Sequence, residues 1–218
     1  MMRRMMCLWA GALATAAVLA GCATRTADAE YDTMLDAMMK ASFRDQGIAK
    51  VDRLAQDESD AACSKAEGKA LPDAAAAVIE AANLKTVKMP ADGQFIGDWK
   101  EGEKLAQNGR GMTWTDPSAA TAANGGSCYN CHQIALSEIS YGTLGPSLHH
   151  YGRLRGVADP ASAEARPVVE YTWRKLYNAK AFNACSGMPR FGHAGLLDEA
   201  QLKHVMALLL DPKSPVNQ

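Results

Sequence analysis

The stretch Ser127-Cys128-Tyr129-Asn130-Cys131-His132 constrains this chain more than any other. Two thiols separated by two residues and followed at once by a histidine form the C-x-x-C-H pattern of c-type haem attachment. Each thiol can add to one of the two vinyl groups on a single porphyrin edge. The adjacent His132 then projects beneath the ring to ligate iron, and its second nitrogen is left for another group to orient. A zinc knuckle competes for the same residues. It needs four ligands, usually from two paired clusters, and only Cys63 and Cys185 remain as distant thiols. A redox C-x-x-C pair competes too, but it belongs in a βαβ context, and the surroundings here are Gly-rich and not strand-like. One covalent haem c is expected, with Cys128 and Cys131 attaching it and His132 as an axial iron ligand.

The chain has 218 residues, enough for one domain with an extension. Helix formers dominate, alanine is abundant and β-branched runs are few, so an all-α fold is expected. Aromatics make up 6% of the residues, so a buried haem would supply apolar volume that the side chains do not. A formal net charge of −1 excludes a strongly basic nucleic-acid binder.

The first residues read as a targeting segment. Arg3 and Arg4 form a positive n-region, and Leu8 to Ala20 an apolar stretch too short to span a bilayer. It ends in Leu19-Ala20-Gly21-Cys22, which resembles a bacterial lipobox. That resemblance implies cleavage before Cys22 and a diacylglycerol on its thiol; an ordinary secretory signal with a chance cysteine is the alternative. Either way the mature chain is exported, and membrane anchoring in the periplasm is expected. Loss of Arg3 and Arg4 takes the net charge from −1 to −3.

Cys7 leaves with the signal, Cys22 carries lipid, and Cys128 and Cys131 hold haem. Cys63 and Cys185 remain as an even pair in an oxidising compartment, so a disulfide is expected between them. The alternative is a free Cys185 thiolate with a chemical role.

Hydrophobic periodicity and cap signals place helices over 31–43, 72–83, 98–108 and 167–178, with a last one from about Glu199 to Leu210. Lys50 to Lys69 is charged and polar and carries no element signal. Gly102 lies on the face of the 98–108 helix where another helix could cross closely, and Gly109 is expected to end that helix. In the last helix Asp198 and Gln201 suit a capping box, Leu197 and Leu202 a staple, and Pro212 a stop. The resulting division is a lipoprotein-type signal peptide over 1–21, a tether over 22–30, an extension over 31–97 and a haem domain over 98–218.

A helix before C-x-x-C-H, a Gly-Pro-Ser-Leu loop after it, a Met-Pro loop and a final amphipathic helix together resemble class I cytochrome c. That resemblance implies that the first and last helices of the haem domain cross, here at Gly102. It also implies that the carbonyl of Pro146 accepts the N–H of His132. Met188 is the expected sixth ligand, because it lies in a loop after the motif and Pro189 restricts it to extended geometry. Met112, His149, His150 and His193 are its rivals. An iron with both axial positions filled by His and Met favours electron transfer over oxygen or peroxide chemistry.

The resemblance extends to longer strings. Gly97–Lys104, Asn124–His132, Gly142–Leu148, Tyr151–Gly156, Lys175–Asn178, Cys185–His193 and Ala207–Asn217 are similar to the SoxX family, the monohaem subunits of the SoxAX sulfur-oxidation complex. Membership would imply a heterodimer with a SoxA-like cytochrome. Such a complex oxidatively joins thiosulfate to a cysteine of a SoxYZ-like carrier, an S-thiosulfotransferase reaction. The sulfur chemistry would sit mainly on the partner, and this chain would pass electrons to a small cytochrome c. The lipobox departs from the soluble pattern of many relatives. A free-standing electron carrier, and a haem sensor or peroxidase in which Met188 dissociates, are the alternatives.

Overall fold

The computed structural model describes residues 28–218. The expected signal peptide over 1–21 and the expected lipid site Cys22 lie outside the described residues. Among those described, the regular structure is seven α-helices with short 3-10 turns and no strand, an all-α chain. They fall into two compact units that meet in sequence at Arg44 and Asp45. The first unit contributes α1 (Asp28–Ser42), which begins three residues before the expected Tyr31. Its stripe of Tyr31, Leu35 and Met38 is exposed.

The second unit holds α2 (Glu58–Lys65), α3 (Asp73–Leu84), α4 (Trp99–Gln107), α5 (Tyr151–Leu154), α6 (Arg166–Tyr177) and α7 (Glu199–Leu210). Its core is built around α7. The Asp198 carboxylate accepts the Gln201 amide at 2.9 Å, and the Gln201 side chain accepts the Asp198 amide at 3.0 Å. That box satisfies two N–H groups that have no partner inside the helix. Leu197 and Leu202, on either side of it, are both buried. Periodicity marks one apolar face on α7, yet every residue from Val205 to Leu210 is buried. Different neighbours cover different sides. Gly152 of α5 lies against Leu209 and Leu210, while Ser214 and Asn217 bond the carbonyls of Leu208 and Leu209.

Helix α4 crosses α7 at Gly102. A Cβ there would fall 2.1 Å from the His204 carbonyl oxygen and 3.0 Å from Leu208 Cβ, so only glycine allows this separation. Gly109 does not end α4. The chain turns extended one residue earlier, at Asn108. The carbonyls of Leu105, Asn108 and Arg110 are taken up by the amides of Gly126, Ser127 and Gly125 at 2.8–2.9 Å. A loop distant in sequence therefore does the work of a helix cap.

Helix α6 has Pro167 in its first turn and buries Val169, Trp173 and Leu176. The Trp173 indole N–H donates to the Lys88 carbonyl at 2.9 Å, and its ring meets Phe95 edge-on at 5.6 Å. Truncating a tryptophan packed in this way costs about 3–5 kcal/mol. Helix α2 carries no apolar stripe, so periodicity passes over it. Asp57 caps it by accepting the Asp60 amide at 2.9 Å. Tertiary bonds hold the rest of it in place.

Candidate functional site

The C-x-x-C-H segment is threaded between two backbones. On one side Gly125, Gly126 and Ser127 bond the end of α4. On the other, the amides of Gly142, Gly145 and Leu148 donate to the carbonyls of Tyr129, Cys131 and Gln133 at 2.7–2.8 Å. The loop thus advances three residues for every two of the motif, which a regular strand pairing would not allow. Glycine is required at two contacts. A Cβ on Gly142 would fall 1.8 Å from the Asn130 carbonyl oxygen, and one on Gly145 would fall 2.1 Å from Cε1 of the His132 ring. Gly145 lies flat against that imidazole.

His132 Nδ1 is 2.7 Å from the Pro146 carbonyl oxygen. A carbonyl only accepts, so Nδ1 carries the proton, and in the neutral ring Nε2 is left with a free lone pair. A ring set in this tautomer and wedged by Gly145 is prepared to ligate a metal through Nε2. Ser147 donates to the Gln133 side chain at 3.0 Å and ties the loop to the residue after His132.

Cys128 and Cys131 are both free thiols. Burial pushes the Cys128 thiol up to about 12, and the neighbouring Cys131 acts in the same direction. Cys128 is therefore neutral at pH 7. The attacking thiol of a redox pair needs the opposite, a value pulled down toward the thiolate, so Cys128 is not suited to that role. Among the described residues no three His, Cys, Asp or Glu side chains gather as metal ligands, as a zinc knuckle would require. A His/Met pair is outside that comparison.

Met188 packs against the same hydrophobic core as Cys128. Three residues on, Phe191 approaches the site: a Cβ on Gly126 would lie 2.9 Å from Cys128 Sγ and 4.0 Å from the Phe191 ring. The loop carrying Met188 is clasped by the extension. A disulfide joins Cys63 of α2 to Cys185. Arg190 bonds Asp57 at 2.7 Å, and the buried Lys180 ammonium pairs with Asp60. Glu80 of α3 accepts the Ala184 amide at 3.2 Å. Asn178 donates to Asn83 at 2.9 Å and to Thr86 at 3.0 Å. The bridge closes a separation of 122 residues, for which loop-closure entropy gives about 4–5 kcal/mol at its upper end.

The rival residues have contacts of their own. Met112 has φ of 63° and accepts Arg53 on its carbonyl. His149 and His150 stack on one another at 3.6 Å, and His150 Nε2 contacts the Gln218 backbone oxygen at 2.7 Å. His193 is exposed, and its amide donates to the Tyr177 carbonyl at 3.0 Å. Residue patterns gave no sign of the Asp57–Arg190 and Asp60–Lys180 pairs. Their partners stand more than 100 positions apart, and no local spacing encodes that.

No family model matches the chain. It is 36% identical to an uncharacterized lipoprotein of Aquifex aeolicus (strain VF5), over 61% of this chain and 59% of that protein. The chain thus spans under two thirds of that relative's length.

Proposed function

We propose that this chain is an exported monohaem cytochrome c that acts as the SoxX-type, electron-exit subunit of a sulfur-oxidation complex. The observation that carries the reading is the His132–Pro146 contact at 2.7 Å, which leaves Nε2 free beside two free thiols at C-x-x-C-H spacing. These residues fit a haem. Cys128 and Cys131 would hold it covalently, His132 and Met188 would be its axial ligands, and Pro146 orients His132. Bound there, the haem would supply one-electron chemistry at its iron. The class I cytochrome c fold is part of the proposal, supported by the crossing of α4 and α7 at Gly102 and by the Gly-Pro loop against the histidine.

The chain's own residues then have distinct tasks. Gly145 and Pro146 fix the imidazole. The clasp from α2 and α3 holds the Met188 loop at one position, which keeps the surroundings of the site the same before and after an electron passes. Ile139 is 97% exposed and Leu144 88% exposed, both in the loop between His132 and Gly145. Apolar side chains left in water beside the site support a partner that covers them, here a SoxA-like cytochrome. A SoxYZ-like carrier and a small cytochrome c acceptor complete the scheme, with the sulfur chemistry on the partner. The Aquifex relative is a lipoprotein by name, which supports lipid anchoring at Cys22; a periplasmic location is part of the proposal.

The test is a haem stain of the denatured, exported protein. Haem should stay with the wild-type chain and be lost from the Cys128→Ser/Cys131→Ser double variant. A second haem chain should co-elute with the native protein. Retention of haem by the denatured double variant would refute the attachment, and elution alone would refute the complex.

A further inference from the structure

Beside the disulfide lies an open cleft of about 660 Å³, lined by Cys63 and Cys185 together with Arg53, Lys69, Lys180 and Asp60. Lys180 is paired with Asp60, so those two charges cancel. Arg53 is fixed by donating to the carbonyls of Met112 at 2.8 Å and Ile48 at 2.7 Å. Neutral carbonyls hold the guanidinium in place without cancelling its charge. Lys69 is exposed and adds a second positive charge. The wall is roomy: a Cβ at Gly68 or Gly187, both in the lining, would meet nothing within 4 Å. Cys185 is exposed and Cys63 half-buried, and both residues of the bridge line the cleft.

We propose that the Cys63–Cys185 disulfide is an exchange site for small anionic sulfur nucleophiles, which the positive cleft receives. An exposed disulfide next to fixed cations presents an electrophilic sulfur where anions gather. The nucleophile's sulfur attacks Sγ of Cys185 and forms a new bond to it. The S–S bond breaks, and Cys63 leaves with the electron pair and takes a proton from water. The nucleophile's sulfur is oxidised and Cys63 is reduced, so no other oxidant is involved. Cys185 is the more exposed half of the bridge, which directs attack to it and makes Cys63 the leaving group. The ion pairs at Asp57 and Asp60 keep α2 in place once the bridge is open. The proposal does not depend on haem.

The experiment incubates the full exported protein with sulfite, and in parallel with tris(hydroxypropyl)phosphine, which attacks disulfides as an uncharged molecule, and follows intact mass with peptide mapping. One sulfonate on Cys185 and one free thiol on Cys63 are expected. Lys69→Gln should slow the sulfite reaction about three- to tenfold and leave the uncharged phosphine's rate unchanged. A sulfonate mapped to Cys63, adducts that form only in denaturant, or a Lys69→Gln effect that is absent or equal for both reagents would each overturn the proposal. A failure of the haem reading would be visible separately, as unmodified Cys128 and Cys131 in the same peptide map.

Discussion

The His132 imidazole is held from two directions by adjacent residues: its Nδ1 lies 2.7 Å from the Pro146 carbonyl oxygen, and Gly145 lies so close that a Cβ would fall 2.1 Å from its Cε1. One contact sets the proton and the other sets the plane of the ring. The pair together gives Nε2 of the neutral ring a lone pair with a fixed direction.

Gly145→Ala should therefore displace either the ring or the loop. The added methyl is expected to destabilise the fold by about 1–3 kcal/mol, as overpacking does, and to weaken axial ligation of the proposed haem. Thermal denaturation together with the spectrum of the reduced protein would check this. A variant with wild-type stability and spectrum would mean that the loop moves aside freely.

Met188→Ala should open the sixth position of the proposed haem, lower its reduction potential and let carbon monoxide bind the ferrous protein readily. The side chain is only partly buried against the core, so the loss of stability should be about 1–2 kcal/mol, below that of a full core truncation. Potentiometry and a carbon monoxide difference spectrum are the measurements. An unchanged spectrum would move the ligand role to another residue, with His193 tested next.

Asp57→Asn separates two tasks of one side chain. Asparagine caps a helix as well as aspartate does, so α2 should persist while the ion pair to Arg190 is lost. Burial works against the Asp57 charge, but the Asp60 amide and the Arg190 guanidinium outweigh it and hold the carboxyl below its ordinary value of 3.8. A depressed folded value means that the stabilisation is present above the unfolded value and is lost as the pH falls through the folded one. The variant should melt slightly below wild type at neutral pH, and the two curves should converge below pH about 3.8. Melting temperatures measured across that range decide it. A gap that persists at the lowest pH would show that the cap, and not the ion pair, had been damaged.

Cys22→Ala should shift the protein from the membrane fraction to the soluble periplasmic extract. Each buried CH₂ of an acyl chain contributes about 0.8 kcal/mol, and two or three chains on one residue suffice for stable anchoring. Fractionation without detergent, followed by immunoblotting, reads this directly. Wild-type protein already in the soluble extract would refute the anchor.

Several parts of this protein are legible in the sequence because their physics is local. A helix needs a cap and a repeating apolar face within a dozen residues, so α3, α4, α6 and α7 fall within a residue or two of where Pro72, Asp98, Pro167 and Asp198 place them. The C-x-x-C-H motif and its Gly-Pro loop are local in the same sense. Helix α2 was missed because it has a cap but no apolar stripe, and it is held by Cys185, Lys180 and Arg190 from far along the chain. The end of α4 was misplaced at Gly109 because the amides that satisfy its carbonyls belong to residues 125–127. What only the tertiary structure decided is which distant groups meet: the clasp on the Met188 loop, the cations around the disulfide, and burial of the second half of α7 on every side. Such contacts depend on how the whole chain packs, and no short-range spacing records them.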